Sequence, residues 1–314
     1  MGSLKKTIKK NIFVLRSYYF VNKIFSEIFH LDRHIVERGH KEIFGYKPDL
    51  DNPKTLNEKI HWLKLNDREP FHTLCADKYE VRKYLAKKFG SDGLIPLAYQ
   101  TYDWKDIKPG NIPDYPCIVK ANHGSGMHFI IRNKTDVNWK ELRKKCREWL
   151  SKNYYYNGSR EWQYKDIRPC IIVEKLLLDE NGKIPNDYKL NYFNGKLEFV
   201  YCSIDREGNN YRNIYDSKWK PLNFAWVAEE DHHPKLIGPG IDKPKSFKKM
   251  VEIGNEISKK FCLVRVDFYD IDGKLYYGEI TLHHGGGYDT FKPSKYDLIY
   301  GDKLDLKRKP NRKK

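Results

Sequence analysis

Hydrophobic and polar residues alternate near the carboxyl end of the chain, and this pattern predicts a β-hairpin. From Val264 to Phe268 every second residue is apolar, which is the period of a strand. Asp272-Gly273 is a typical two-residue hairpin turn, and the return strand follows from Leu275. Alternate residues share a face of a strand. One surface is therefore predicted to carry Arg265, Asp267, Tyr269, Glu279 and Thr281.

The chemistry of this surface favours a magnesium ion. Mg²⁺ prefers hard oxygen ligands and usually takes one or two carboxylates together with substrate phosphates. Asp267 and Glu279 supply carboxylates, and Arg265 adds one cation. The glycines at 285–287 follow directly, and glycine backbone can approach a ligand closely. The alternative is an ordinary hairpin with solvated charges, since charged strand faces are common.

Other periodicities predict both helices and strands. Thr55-Leu56-Asn57-Glu58 fits a capping box at the start of a helix, and Asn194-Gly195 marks the turn of a second hairpin. Helical spacing is found over residues 76–89, 136–151 and 247–261, and strand patterns over 115–131, 171–178 and 187–202.

The composition indicates a folded protein that meets an anionic partner. The chain has 314 residues, 39% of them hydrophobic and 14% aromatic, which is enough for one large domain or two lobes. The aromatic content argues against disorder. The net charge of +17 favours a nucleotide, an acidic polysaccharide, an anionic lipid surface or a nucleic acid as partner. The alternative is that the charge serves solubility alone.

The cysteines and the apolar runs bear on the cellular compartment. Six cysteines are widely separated and form no CxxC pair, which excludes a disulfide framework or zinc site and favours buried thiols in a reducing cytoplasm. No window reaches the ~18 apolar residues of a membrane span. Residues 1–45 are basic and aromatic, so a helix there would either lie on an anionic membrane surface or pack on the protein itself. The tail at 306–314 is a basic block that predicts disorder.

A glycine-bearing loop between two strands predicts a phosphate-binding element. Lys120 ends an apolar strand, and Gly124-Ser125-Gly126 follows. Backbone N–H groups of such a loop can cover phosphate oxygens while the lysine supplies charge. The loop is not a Walker motif, because no Gly-Lys-Ser/Thr follows. A simple glycine hairpin is the alternative.

The order of these motifs resembles the ATP-grasp superfamily. The succession is Asp77-Lys78, Ile118-Val119-Lys120 with Gly124-Ser125-Gly126, Val173-Glu174-Lys175-Leu176-Leu177, Arg265-Val266-Asp267 and Glu279-Ile280-Thr281. More narrowly, the segments 55–64, 187–189 and 285–287 are similar to the teichuronopeptide-biosynthesis (TupA-like) ATP-grasp family. The resemblance covers about residues 50–305.

The resemblance implies an α+β fold in which two α+β lobes hold ATP between antiparallel sheets, with a helical N-terminal extension. It implies the following division: a basic helical extension at 1–50, an α/β region at 51–112, a small lobe with the glycine-rich loop at 113–175, a large lobe with the metal site at 176–305, and a basic tail at 306–314.

The resemblance also implies a nucleotide site. By position, Lys78, Lys120 and Lys189 contact ATP phosphates. Gly124, Ser125 and Gly126 form the loop over them. The adenine pocket is lined by Glu174, Lys175 and Leu177, and Asp187 reaches the ribose.

A magnesium and catalytic site is implied in the second lobe. Asp267 and Glu279 hold Mg²⁺, and Thr281 stands where superfamily relatives usually have Asn. Arg265 stabilises the oxyanion of a tetrahedral intermediate, aided by backbone N–H groups near Gly285 and Gly286. The expected substrate contacts are Arg206, Arg212, His283 and His284.

The implied activity is an ATP-dependent carboxylate–amine ligase that acts through an acyl phosphate in surface (capsular) polysaccharide biosynthesis. The expected partners are an anionic saccharide or uronic acid and an amine, with no nucleic acid because no recognition motif is found. A kinase acting on a sugar hydroxyl and a glycosyltransferase are the alternatives. The expected location is the cytoplasm, with contact at the inner face of the membrane through the basic N-terminus as an open alternative.

Overall fold

The computed structural model describes residues 17, 21, 23, 24, 31–233 and 235–307. Most of the predicted basic extension and residues 308–314 of the predicted tail lie outside this range. The chain forms two compact units, each assembled from separate stretches of sequence. Unit 1 contains the described residues up to Val36 together with Arg68–Lys83 and Pro96–Leu176, and unit 2 contains Glu37–Asp67, Tyr84–Ile95 and the chain from Leu177.

Helices and strands are interspersed along the described chain. The helices are α1 (Asp32–Phe44), α2 (Leu56–Asn66), α3 (Pro70–Ala76), α4 (Val81–Phe89), α5 (Trp139–Ser151), α6 (Tyr154–Asn157), α7 (Phe247–Ser258) and α8 (Lys295–Lys303). The strands are β1 (Leu97–Thr101), β2 (Cys117–Ala121), β3 (His128–Ile131), β4 (Ile171–Lys175), β5 (Asp187–Phe193), β6 (Lys196–Ile204), β7 (Tyr211–Tyr215), β8 (Pro221–Leu222), β9 (Ala225–Val227), β10 (Leu263–Ile271), β11 (Lys274–Thr281) and β12 (Thr290–Lys292).

Unit 1 is built on an antiparallel sheet with the strand order β1-β4-β2-β3. Helix α5 packs against this sheet, and Leu142 and Cys146 on its apolar side are fully buried with Val119 and Val173. Burial of each large apolar side chain contributes about 1.5–3 kcal/mol. Asn138 caps α5 by accepting the N–H of Glu141, so the helix begins at Trp139, three residues after the position that the sequence predicts.

Unit 2 is built on a six-stranded antiparallel sheet with the order β11-β10-β5-β6-β7-β8. Helix α7 packs on this sheet through Met250, Ile253 and Ile257, which are buried. A second cluster of apolar side chains joins α2 and α8 to the sheet and to the short β9–β12 pair. Thr55 and Glu58 form the predicted capping box at the start of α2, so this boundary is confirmed.

The predicted hairpin near the carboxyl end is confirmed as β10 and β11, with Asp272 and Gly273 at its turn. Arg265 lies opposite Thr281, and the register shifts between Val266 and Phe268. Such a shift is a β-bulge, which redirects side chains next to it. The Asn194-Gly195 hairpin is confirmed as β5 and β6.

The single helix predicted over residues 76–89 is wrong. Helix α3 ends at Ala76, and α4 begins only at Val81. Between them the Asp77 carboxylate accepts the backbone N–H groups of Tyr79 (2.9 Å) and Glu80 (3.2 Å). A side chain that satisfies backbone donors in this way stabilises a turn in place of a helix. Helix α7 likewise stops at Ser258, short of the predicted end at residue 261.

The prediction that the cysteines are buried free thiols is confirmed for all six. Burial raises the pKa of Cys117 to about 11 and that of Cys146 to about 12, so these thiols are uncharged at neutral pH. In the parts of the chain that the structure describes, every helix is too short or too polar to cross a bilayer.

Candidate active site

Glu174 on β4 is the centre of a charged cluster in unit 1. Its side chain is buried, and its two oxygens accept hydrogen bonds from Arg82 Nη1 at 2.6 Å and from Lys120 Nζ at 2.8 Å. Lys120 reaches it because Ile118, two residues before it on β2, lies directly opposite Glu174. Diagonal neighbours of this kind interact across a ladder. The three groups carry one negative and two positive charges.

The predicted glycine loop joins β2 to β3. It is held in place by Lys78, which lies in the turn between α3 and α4. The Lys78 Nζ donates to the Gly124 carbonyl at 2.7 Å, and the Lys78 N–H donates to the Asn122 carbonyl at 3.1 Å. A Cβ atom at Gly124 would lie 2.5 Å from the Tyr154 ring, so no side chain fits there. Gly126 has φ +72°, a conformation that favours glycine.

Asn122 connects this loop to the turn before α4. Its Nδ2 donates to Asp77 Oδ1 at 2.9 Å, and its Oδ1 accepts the N–H of Cys170 at 2.8 Å. Burial raises the pKa of Asp77, and the hydrogen bond from Asn122 opposes that shift. The loop is therefore anchored on two sides by buried polar contacts.

The remaining nucleotide residues predicted from the sequence are placed as follows. Ser125 and Lys175 are exposed, and Leu177 is buried. Both oxygens of Glu174 are already engaged by cations, a feature that the sequence does not show. The roles of all these residues toward ATP stay predictions.

Arg265 on β10 is the centre of the charged cluster in unit 2. Its Nε and Nη2 groups donate to the two oxygens of Asp267, both at 2.8 Å. Nη2 also donates to Thr281 Oγ1 at 3.0 Å and lies 3.9 Å from Glu279 Oε1. Thr281 Oγ1 in turn donates to Glu279 Oε1 at 2.7 Å. The structure therefore brings the predicted hairpin residues together.

The charge of Arg265 is held firmly. Burial lowers the pKa of its guanidinium, but the Asp267 carboxylate outweighs this effect and raises the pKa above its usual value. Arginine has five N–H donors. The contacts above use three of them, and Nη1 donates a fourth to His284 Nδ1 at 2.8 Å. One N–H of Nη1 remains. Among the described residues that N–H has no partner, so it is available to an incoming oxygen.

A second set of charges on β5 continues the cluster. Lys189 donates to Asp267 Oδ2 at 2.9 Å and also contacts Asp187. Arg206 lies 3.8 Å from Asp187 and lines a cleft of about 380 Å³ with Lys183 and Asn186. Burial lowers the pKa of Arg206, but the charge of Asp187 overrides it and raises the pKa.

His284 links Arg265 to the glycine turn. It accepts from Arg265, its Nε2 lies 3.0 Å from Asp289 Oδ2, and its ring stacks on Trp226 with the centroids 3.9 Å apart. Since an arginine can only donate, the contacting His284 Nδ1 carries no proton, and the imidazole is neutral. Burial lowers the pKa of His284, which agrees with a neutral ring.

The glycine turn has left-handed backbone at three successive residues. Gly285, Gly286 and Gly287 have φ of +54°, +62° and +81°, which L-residues with side chains seldom adopt. A Cβ at Gly285 would lie 2.3 Å from the Asp289 carboxyl. The Gly286 N–H donates to the His283 carbonyl at 3.0 Å. The predicted role of these glycines in catalysis stays a prediction.

Helix α2 supports this turn. Lys64 is fully buried and donates to the Gly286 carbonyl at 2.6 Å, with its Nζ 4.5 Å from the centre of the Tyr288 ring. Asn57 donates to the Asp289 carbonyl at 3.0 Å and to Asp297 Oδ2 at 3.0 Å. The segment 55–64 that carries the family resemblance therefore acts as a brace for the turn.

Of the other two predicted substrate residues, Arg212 lies apart from these contacts, and His283 belongs to the glycine turn. Arg212 donates to the Asn210 carbonyl at 3.1 Å, and no contact between it and Arg265 occurs in the described structure. His283 is buried at the start of the glycine turn. Neither position tests the predicted substrate role.

The donor set of the unit 2 cluster fits a hard cation. Asp187, Asp267 and Glu279 lie on the neighbouring strands β5, β10 and β11. The buried Oδ1 of Asp187 has no hydrogen-bond partner in the described structure. No ready-made site of three or more His, Cys, Asp or Glu occurs among the described residues.

The sequence interpretation missed three groups that touch the predicted residues. Arg82 lies in the first turn of α4, where a cation is unfavourable for the helix dipole, and that signal was available. Lys64 carried no comparable signal, because its partner Gly286 comes from a distant part of the chain. Asp289 carried none either, although its partner His284 is only five residues away.

Family comparison assigns the chain to a known class of protein. The chain is an ATP-grasp protein with the expected α+β fold. The model of the TupA-like ATP-grasp family matches residues 58–305, and the chain belongs to that family. The comparison with curated proteins gave no match.

Several solved structures are similar at low identity. The D-alanine–D-alanine ligase of Helicobacter pylori is 17% identical, with 74% of this chain and 62% of that chain covered and a TM-score of 0.38. The Bacillus anthracis D-alanine–D-alanine ligase complexed with ATP is 16% identical, with 67% and 55% covered and a TM-score of 0.38. The ATP-grasp ligase PsnB, complexed with minimal precursor, Mg and ADP, is 12% identical, with 78% and 66% covered and a TM-score of 0.34. The chain spans less than two thirds of the length of these proteins.

Proposed function

We propose that the protein is an ADP-forming carboxylate–amine ligase. It activates a carboxylate as an acyl phosphate, and an amine then displaces the phosphate to give an amide. The acyl donor is an anionic saccharide of the uronic-acid type used in surface polysaccharide synthesis, and the amine is an amino acid or amino sugar. Membership of the ATP-grasp family and the net charge of +17 support this proposal.

The observation that carries it is the Arg265 cluster. One guanidinium is fixed by Asp267 and still has an N–H available. A fixed donor of this kind stabilises negative charge that develops on a carbonyl oxygen, and one such donor typically changes the rate by about 10²–10³. Because Asp267 also holds the arginine in its charged state, no proton has to move for it to act.

The other named residues bind and orient. Lys78, Lys120 and Lys189 carry the positive charge that would offset phosphate oxygens. Asp267 and Glu279, assisted by Thr281, would hold Mg²⁺, which supplies Lewis-acid stabilisation of the transferring phosphoryl group when it is bound. Arg206 is proposed to contact the substrate carboxylate; it lines a cleft together with Lys183 and four carboxylates.

Product analysis tests the proposal. Uronic acids are paired with amino acids and amino sugars, with ATP and Mg²⁺ present, and products are identified by mass spectrometry. An amide together with ADP and free phosphate is the expected result. A phosphorylated sugar without amide would make the protein a kinase, and turnover of a nucleotide sugar without ATP would make it a glycosyltransferase. Either outcome would overturn the ligase.

Glu279→Gln tests the metal assignment. Its side chain is 32% exposed, so we expect normal folding but an ADP-forming rate lower by at least about 100-fold, because a bound metal supplies several kcal/mol of charge stabilisation. Glu230→Gln is the control, since it removes the same charge from an exposed position of unit 2. Unchanged turnover in Glu279→Gln would remove Glu279 from the metal site.

A further inference from the structure

Unit 1 carries a basic aromatic cleft that uses none of the residues assigned above to ATP. The cleft has a volume of about 500 Å³ and is open to solvent. Pockets that bind small molecules usually measure about 300–1,000 Å³. The polar and aromatic residues that line it are Tyr102, Asp103, Trp104, Lys105, Arg147 and Arg168.

Each arginine of the cleft lies over an aromatic ring. The Arg168 guanidinium is 3.8 Å from the centre of the Tyr102 ring, and that of Arg147 is 5.5 Å from the Trp104 ring. Stacking satisfies the face of a guanidinium and leaves the N–H groups at its edge directed outward. Both arginines are exposed, and contact with a ring favours one orientation of each guanidinium before a ligand arrives.

Neither guanidinium is neutralised. Among the described residues, Arg147 and Arg168 form no ion pair with a carboxylate, and the same holds for Lys105. Such edges bind carboxylate oxygens in pairs. The cleft therefore presents three positive charges that the protein itself does not use.

Asp103 narrows the class of ligand. One of its oxygens accepts the N–H of Lys105 at 2.9 Å, and the other is available to accept a hydroxyl. A polyphosphate has no hydroxyl to donate to Asp103 and carries several negative charges close to this carboxylate, whereas a sugar acid carries one charge, for the arginines, and offers hydroxyls for Asp103. Single-stranded nucleic acid needs open ring faces for stacking. Trp104 packs partly against the core of unit 1, and Arg147 lies over its ring.

We propose that this cleft is a binding site for an acidic saccharide. It recognises the carboxylate of the sugar through Arg147 and Arg168 and a sugar hydroxyl through Asp103. The ligand is a free sugar acid or one unit of an acidic chain. This inference does not depend on the ligase proposal, because binding here requires neither ATP nor turnover.

Calorimetric titration of the full chain without nucleotide tests the site. The probes are galacturonic acid, trigalacturonic acid and neutral maltotriose. We expect at least one of the two acidic probes, galacturonic acid or trigalacturonic acid, to bind, and maltotriose not to bind. Binding of the monosaccharide identifies a free sugar acid as sufficient, and a requirement for the trimer identifies a chain. Equal binding of maltotriose, or no binding of either acidic probe, would overturn the proposal.

Paired variants separate the site from the overall charge. The double variant Arg147→Ala/Arg168→Ala is expected to weaken binding at least tenfold. The control Lys108→Ala/Lys140→Ala removes two positive charges from exposed positions of unit 1 outside the cleft, and its affinity should stay within twofold of the original. Equal weakening in the two doubles would show that net charge alone attracts the saccharide.

Two further measurements complete the test. Tyr102 is 45% exposed, so Tyr102→Leu should fold normally and weaken binding several-fold by releasing Arg168. An oligothymidylate titration covers the competing ligand class. If the oligonucleotide binds more tightly than the acidic saccharides and depends equally on Arg147 and Arg168, the cleft is a nucleic-acid site. That result would overturn the saccharide proposal.

Discussion

The charged clusters of the two units differ in the sign of their excess charge. In unit 1, Arg82 and Lys120 face the single carboxylate of Glu174. In unit 2 the cations Arg265, Lys189 and Arg206 face the four carboxylates Asp187, Asp267, Glu279 and Asp289, with His284 neutral between them. The first cluster therefore has an excess of positive charge and the second an excess of negative charge.

This difference indicates which ligand each cluster can accept. A cluster with excess positive charge stabilises phosphate oxygens, and one with excess carboxylates stabilises a divalent cation. An ion-pair network that serves structure alone is expected to balance its charges. Pairing every buried charge lowers the free-energy cost of burying the network. The imbalance in both units thus supports the ligands proposed above.

The two clusters also differ in how the backbone holds them. Lys120 and Glu174 lie on a regular ladder between β2 and β4. Asp267 and Glu279 lie beside the bulge between β10 and β11, and Arg265 depends on His284 and the braced glycine turn. Substitutions should therefore cost more, and spread further, in unit 2 than in unit 1.

The largest effect is expected for Arg265→Met. The variant leaves the buried Asp267 without its main counter-ion, and breaking a buried pair costs about 3–5 kcal/mol. The free energy of unfolding from denaturant titration measures the loss. Arg206→Met is the matched comparison, since its guanidinium is 35% exposed and 3.8 Å from Asp187, and it should cost less than Arg265→Met because Lys189 still pairs with Asp187. Similar losses in both variants would contradict a cluster centred on Arg265.

The next effect is a pH dependence from Asp297 in the brace of unit 2. Burial raises the pKa of Asp297 from its ordinary 3.8 to about 6, against the hydrogen bonds from Asn57. Below pH 3.8 the carboxyl is protonated in both states and its contribution to stability is fully present. As the pH rises to about 6, the carboxyl of Asp297 ionises in the unfolded chain before it ionises in the folded one. About 3 kcal/mol of the free energy of unfolding is therefore lost.

Comparison with Asp297→Asn isolates this contribution. The difference in unfolding free energy between the original chain and the variant should fall between pH 4 and pH 6 and then level off. Asp77 in unit 1 has a similar environment, with a pKa raised by burial and a bond from Asn122, and Asp77→Asn should show the same sign. A difference that rises with pH would mean that the Asn57 bonds stabilise the ionised form.

Glu174→Gln should have a smaller effect and separates two roles of that residue in unit 1. As the counter-ion of Arg82 and Lys120, its loss should cost about 2 kcal/mol of stability, the usual range for hydrogen bonds to charged groups. ATP affinity should not fall, because positive charge near the phosphates increases. If Glu174 instead reads the adenine amino group, the discrimination between ATP and GTP should collapse while stability stays nearly constant. Nucleotide titration and denaturation together decide between them.

The contrast between the units also explains how far the sequence could be interpreted. The hairpin of β10 and β11, the capping box and the glycine loop depend on residues close together in the chain, and local patterns predicted them. The bridge from Lys64 to Gly286 joins residues 222 positions apart, and no local pattern contains such a contact. The same holds for Asn57 and Asp297.

Local patterns also failed where a side chain replaced a backbone partner. Residues 76–89 have helical spacing, yet the Asp77 carboxylate takes the N–H groups of Tyr79 and Glu80 and divides the helix. The family resemblance named Lys120 and Glu174 separately, whereas their ion pair depends on the register of β2 and β4. No hairpin turn joins β2 to β4, so their pairing depends on tertiary packing, which a single sequence does not display.

The smallest effect concerns the bulge that distinguishes the unit 2 ladder. A Cβ at Gly278 would lie 2.8 Å from the Asp267 carbonyl oxygen, a backbone atom that cannot swing aside. Gly278→Ala should therefore cost about 1–2 kcal/mol and shift Glu279 away from Arg265, which lowers the ADP-forming rate as well. Gly240→Ala is the control, since nothing lies within 4 Å of its Cβ position, and it should change stability by less than about 0.5 kcal/mol. If both variants behave alike, the bulge does not position the acidic residues, and the proposed difference between the two ladders has no functional consequence.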